Sequence, residues 1–175
     1  ATCDAPFFRG KAVLVVGGGN TAIDDAAFLA RFARTVTIVH RRDYFRAAPS
    51  ALDKAHANPL ISWRIPFTIE DILGDTTVTG AVIKHMDTGV CETIACEGIF
   101  VAIGHDPQSA LFAAMADLDS HGYLSVIAGS TATRTPGLFA CGDVMDSVYK
   151  QAVTAAGTGC MAALDVQRYL EHASG

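Results

Sequence analysis

The first marked feature in the pattern of apolar and polar positions is a continuous apolar run at 12–16 (AVLVV), followed at once by the glycines at 17, 18 and 19. A run without alternation predicts a strand covered on both faces, as in a parallel sheet. The stretch 21–34 (TAIDDAAFLARFAR) then predicts a helix. Its small-residue face (Ala22, Ile23, Ala26, Ala27, Ala30 and Ala33) can lie close against that sheet, with Asp24 and Asp25 in the positive first turn. Residues 35–39 (TVTIV) supply the next strand and complete a strand–helix–strand unit.

The middle of the chain has a different rhythm. Pro49 and Ser50 open a short polar helix ending near Asn58 and Pro59. After it, ISWRI (61–65), FTIEDIL (67–73), TGAVIKHM (79–86) and VCETIAC (90–96), with a turn at DTG, predict a small antiparallel β-meander packed on the parallel unit. Trp63, Phe7 and Phe8 are expected to be packing residues. A strand at 99–103 (IFVAI) ends in GHDP, and the pattern is irregular from there to about Thr135. A short strand at 138–143 (LFACGD) and a long helix from Gln151 to Glu171 follow. Roughly 70 residues with one short strand and one helix close a core poorly, so a domain boundary is expected near Gly104, between 1–104 and 105–175.

Composition narrows the class. Half of the residues are apolar and 18% are charged, which predicts a globular chain rich in core. A formal net charge of −5 argues against a nucleic-acid surface, and no apolar run approaches the roughly 18 residues of a membrane span. The first residue is not Met and no signal-peptide pattern is present, which fits a chain processed or cut from something longer. Five cysteines without dense spacing predict a cytoplasmic protein with mostly buried thiols. Cys91 and Cys96 share a predicted strand that separates them by about 16 Å, too far for a disulfide. No metal site is expected.

The candidate chemistry lies at the glycines. Gly17, Gly19 and Ala22 form G-x-G-x-x-A directly after a strand and opening a helix, the context of a dinucleotide fingerprint. Glycine at 17 permits a tight turn, and glycine at 19 lets a pyrophosphate reach the backbone at the helix N-terminus. Gly157, Gly159 and Ala162 repeat the spacing inside the long helix, with no strand before them. That match is read as accidental, its glycines serving close approach to the helix. At the end of the second strand, where an acid would hold the 2′-hydroxyl of NAD, the chain reads VHRRDYFR. Arg41, Arg42 and Arg46 there suit the 2′-phosphate of NADPH. Asp43 is the rival: turned inward, it would hold a ribose and favour NAD.

Taken together, the stretches ATCD, GGGNTA, VHRRDYFR, FVAIGHDP, GLFACGDVMD and KQAVTAAGTGCMAA resemble, in order, the low-molecular-weight bacterial-type thioredoxin reductases, from Ala1 to about His172. The resemblance implies an α/β, Rossmann-like (FAD/NAD(P)-binding) three-layer fold with a small antiparallel meander, plus part of a second, FAD-binding domain. It implies electron flow from NADPH to FAD, to a Cys-x-x-Cys pair and to thioredoxin. Cys3 would be the second cysteine of that pair, the first lying before Ala1, and Asp4 the acid that handles the proton. The same match adds Gly18, Asn20, Thr21 and His40 to the NADPH residues, and assigns Gly142, Asp143, Lys150, Gln151 and Ala152 to FAD. Lys150 stands where the family often has Arg. Cys141 and Cys160 are expected to be buried small side chains.

The family's N-terminal glycine fingerprint for the ADP half of FAD has no counterpart here. The isolated chain is therefore expected to bind NADPH but not FAD, to be inactive, and to expose apolar surface in its C-terminal part. A homodimer, no nucleic acid and no membrane are expected of the intact protein. The alternatives are an NADPH-dependent flavoprotein reductase of another acceptor, ferredoxin or peroxiredoxin, and a non-catalytic nucleotide-binding fragment.

Overall fold

The computed structural model describes residues 1–173 and divides into two compact units, Ala1–Gly104 and His105–Gly175. The fold is α/β, with one parallel and one antiparallel sheet.

In the first unit, β1 (Ala12–Val16), α1 (Asn20–Leu29), β2 (Thr35–Val39), α2 (Pro49–His56) and β3 (Ile61–Arg64) precede β4 (Phe67–Gly74), β5 (Val78–His85), β6 (Cys91–Ala95) and β7 (Gly98–Val101). The order β3-β2-β1-β7 makes a four-stranded sheet, parallel throughout, and β4-β5-β6 an antiparallel one. Successive side chains of a strand point to opposite faces, and this alternation builds three layers. Val13, Val15, Val36 and Ile38 pack with Ala22, Ile23, Ala26 and Leu29 of α1 and Ala55 of α2. Leu14 and Val39 point the other way, against Phe67, Ala81 and Ile83 of the meander. With a buried partner on each face, every residue from 13 to 15 had to be apolar.

Several expectations need correction. The segment 61–65 is not the first strand of the meander: β3 pairs parallel with β2, Val36 opposite Ile61. The α2 crossover returns the chain in the direction of β2, which a hairpin cannot do. Helix α1 ends at Leu29, and Asp24 and Asp25 lie beyond its first turn. Ala27 is exposed, whereas the rest of the small-residue face is buried. Phe7 is 75% exposed rather than packed. Phe8 does pack, edge-on to Phe100 at 5.1 Å and over Gly98, where a Cβ would meet its ring at 2.2 Å.

The second unit has little regular structure before its long helix, α3 (Ala152–Ala173). The segment 138–143 forms no strand, only an isolated bridge between Ala132 and Phe139 and a 3-10 turn over Gly142–Val144. Its core is small, built on Ala116, Leu124 and Ala140. Asp165 on α3 fastens the preceding loop by accepting from Ser130 Oγ (2.8 Å), Thr131 N (2.9 Å) and Thr131 Oγ1 (2.8 Å). Helix α3 buries no residue, and Val153, Met161, Leu164 and Leu170 are exposed. Nothing lies within 4 Å of a Cβ built at Gly157 or Gly159, so no described atom uses the close approach they allow. Of the five cysteines only Cys96 is buried, and Cys160 is exposed, contrary to expectation. Among the described residues no helix is long and apolar enough to cross a membrane.

Candidate functional site

The three glycines after β1 have three different physical reasons. Gly17 donates its N–H to Val39 O (3.0 Å) with φ at +151°. A Cβ there would sit 2.3 Å from the carbonyl oxygen of Ala102, so only glycine fits. Gly18 lies against the imidazole of His40, whose ring atoms would be 2.3 to 2.5 Å from a Cβ. Gly19 is the N-cap of α1, extended, with nothing within 4 Å of its missing side chain. The leading N–H groups of a helix have no partner within it and form its positive end, the setting in which anions bind.

The loop that follows β2 is fastened to this turn. Arg46 N donates to Gly18 O (2.9 Å), and Ala48 N donates to Asn20 Oδ1 (2.8 Å). The His40 Nε2 lies 3.0 Å from Tyr44 O; a carbonyl only accepts, so Nε2 carries the proton. The His40 ring stacks on Phe45 (5.0 Å), which meets Trp63 edge-on (5.1 Å). Partial burial pushes the His40 pKa down; the Tyr44 contact opposes this, while Arg42, Arg41 and Arg46 add to the lowering.

Turn and loop border one cavity of about 530 Å³ in the first unit. Gly17, Gly18, Gly19, Thr21, His40, Arg41 and Arg46 line it, with Phe67, Ile69, Ile99 and Val101 as apolar walls. Ala22 is fully buried in the layer beneath. Arg42 is absent from the lining. Its guanidinium donates to the Tyr44 hydroxyl (2.9 Å) and lies 5.4 Å from that ring's centroid. Asp43 is exposed and also lines none of this cavity.

Cys3 and Asp4 are exposed on the opening turn, where Ala1 O accepts from Asp4 N (3.1 Å) and Ala5 N (2.9 Å). Asp4 and Asp25 line a second cavity of the same unit, walled by Phe7, Phe8, Phe100 and Val101. Burial raises the Asp25 pKa, and the neighbouring Asp24 reinforces this.

In the second unit, Gly142 (φ +73°) donates to Thr158 Oγ1 (3.0 Å), and Asp143 is exposed in the 3-10 turn. The Lys150 ammonium lies 5.1 Å from the Tyr123 ring centroid. Gln151 N donates to Thr154 Oγ1 (3.2 Å), and Ala152 opens α3. Sequence reasoning missed Asp146. Its carboxylate accepts from the backbone N of Val148 (3.0 Å), Tyr149 (2.7 Å) and Lys150 (2.9 Å) and from Thr154 Oγ1 (3.2 Å). Desolvation acts against it, yet these donors hold its pKa below the usual carboxylate range. The signal was legible only in part: an aspartate in a loop commonly accepts from the backbone N–H groups two or three residues on, as Asp146 does from Val148 and Tyr149. A cavity of this unit is formed by other residues, among them Thr133, Arg134 and Tyr169.

A family profile described as pyridine nucleotide-disulphide oxidoreductase matches residues 2–159. The thioredoxin reductase of Streptomyces clavuligerus is 50% identical over 170 residues, covering 97% of this chain and 53% of the relative. The bifunctional thioredoxin reductase/thioredoxin of Mycobacterium leprae is 48% identical over 174 residues, covering 99% and 38%. Among solved structures, the thioredoxin reductase of Streptococcus pyogenes superimposes with a TM-score of 0.85 at 35% identity, covering 97% of this chain and 55% of the other. The chain thus spans about half the length of the relatives it matches, or less.

Proposed function

Because the chain belongs to the pyridine nucleotide-disulphide oxidoreductase family, we propose that it forms the NADPH-binding domain and the C-terminal part of the FAD domain of a thioredoxin reductase. The first unit is then the NADPH domain with the end of the redox motif at its start. Residues 105–175 are the FAD-domain segment.

One observation carries this reading: two guanidiniums and an unobstructed helix-capping glycine border the same cavity. NADPH fits the residues present. Gly19 leaves room for a phosphate oxygen to reach the first N–H groups of α1. Arg41 and Arg46 are exposed at the same cavity, where a dianionic 2′-phosphate would gain about 1.5–3 kcal/mol per charged hydrogen bond. Asp43, the residue that would favour NAD, lies outside the lining.

Thioredoxin reductases of this family use FAD beside NADPH. The residues here do not by themselves fit the flavin. The start of α3 already has the Asp146 carboxylate beside it. A second strand–glycine–helix turn for the ADP half is absent among the described residues.

Reduction of a disulfide to two thiols takes two electrons and two protons. NADPH supplies a hydride, and Asp4, next to Cys3, is the group proposed to handle the remaining proton. Cys3 sits on an exposed turn, accessible to another protein's disulfide for thiolate exchange. Thioredoxin is the proposed acceptor, the intact protein a homodimer, and the cytoplasm its compartment. The test uses the full-length protein. NADPH-dependent reduction of thioredoxin should be lost on Cys3→Ser while NADPH binding persists; thioredoxin reduction that survives Cys3→Ser would refute the role given to this thiol.

A further inference from the structure

We propose that His40 and Asn20 are positioning residues that set the preference for the 2′-phosphorylated coenzyme by fastening the arginine-bearing loop to the glycine turn. The inference rests on the NADPH reading above and assigns these two side chains a role other than direct contact with the coenzyme.

The geometry singles them out. Arg41 and Arg46 are exposed, and among the described residues neither is in an ion pair that would hold it in place. Their position depends on the backbone from 40 to 48. The backbone of His40 is held by Arg64 O and Phe67 N, and Ala48 O accepts from the start of α2; between these anchors three further hydrogen bonds tie the loop down. His40 Nε2–H donates to Tyr44 O (3.0 Å), which closes the loop on its own first residue. Arg46 N donates to Gly18 O (2.9 Å). Ala48 N donates to Asn20 Oδ1 (2.8 Å), across 28 positions of sequence. The His40 ring also rests on Gly18, so the same imidazole touches both the phosphate turn and the loop.

Preorganisation of this kind acts on one cofactor only. A loop free to move lets each arginine sample many positions, and binding the 2′-phosphate must then offset the lost freedom. NADH has no 2′-phosphate, and its affinity depends on the glycine turn and the apolar walls. Loosening the loop should therefore lower NADPH affinity and leave NADH affinity nearly unchanged. A side chain that touched the shared pyrophosphate would instead alter both.

The experiment is calorimetric titration of the 175-residue chain with NADPH and with NADH, which needs no flavin and no turnover. Asn20→Ala removes the acceptor for Ala48 N, and His40→Ala removes both ring contacts. Asn20→Ala, whose side chain lies outside the cavity lining, should weaken NADPH by about tenfold or more and NADH by less than about threefold. His40→Ala, whose ring lines the cavity and rests on the turn, should weaken both and NADPH the more, so that each variant lowers the ratio between them. His40→Gln, which keeps a donor for Tyr44 O, should restore most of that ratio. If His40→Ala does not fold, Asn20→Ala and His40→Gln carry the test. Equal losses for the two coenzymes, or an unchanged ratio in Asn20→Ala, overturn the inference. A wild-type chain with no preference for NADPH overturns the reading beneath it instead.

Discussion

The imidazole of His40 lies so close to the α-carbon of Gly18 that a methyl group on the glycine would be 2.3 Å from the ring. The glycine at the centre of the turn is therefore required by a side chain of the neighbouring loop, as well as by any phosphate. Gly18→Ala should weaken both coenzymes, since both use the turn, and NADPH the more, by about tenfold or greater, since the displaced His40 ring no longer fastens the arginine loop. Combining it with His40→Ala removes the clash, and titrating the pair should recover part of the NADH affinity.

Gly17 is more constrained, because its obstacle is backbone. Gly17→Ala would place a Cβ 2.3 Å from Ala102 O at a positive φ. Strain of this type costs on the order of 1–3 kcal/mol. A urea titration should show a lower midpoint than Gly19→Ala, where a Cβ meets nothing within 4 Å.

The arginines are expected to divide unequally. Arg41→Ala and Arg46→Ala should each weaken NADPH by about tenfold or more and leave NADH unchanged, as the loss of a charged hydrogen bond requires. Arg42→Ala should do less, because that guanidinium is committed to Tyr44. Titrations of the three single variants check this. An Arg42 effect larger than that of Arg41 would contradict the placement.

The lowered pKa of His40 makes a prediction about acid. Its neutral form is favoured in the folded state, chiefly by burial and then by the arginines, against the opposing Tyr44 contact. The resulting stability is complete above the unfolded histidine value of about 6.5 and is lost as pH falls through the lower folded value. Asp25, with a raised pKa, has the opposite sign at lower pH. The difference between the wild type and His40→Gln isolates the histidine. Urea midpoints measured at falling pH should decline less in the variant.

Much of the first unit could be read from the sequence, for definite reasons. The run at 12–16 is apolar throughout because Val13 and Val15 face the helices while Leu14 faces the meander. Gly17 stood out because a turn at that place needs a conformation other residues resist. The partner strand of 61–64 was not legible: four residues with Trp63 in the middle fit either sheet, and only the α2 crossover decides. The exposure of Phe7 was hidden because composition cannot say which of two adjacent phenylalanines a 3-10 turn directs inward. Nor could the sequence show Asn20 reaching Ala48, since a contact across 28 residues leaves no local pattern. In the second unit the expected strand failed because the segment finds only one bridging partner among the described residues.

The central claim is that the cavity beside Gly19, Arg41 and Arg46 is built for a coenzyme carrying a 2′-phosphate. Isothermal titration of the chain with NADPH and NADH at one salt concentration tests it most directly. One NADPH per chain, bound at least about tenfold more tightly than NADH, is the predicted result. Equal affinities, or tighter binding of NADH, would contradict it.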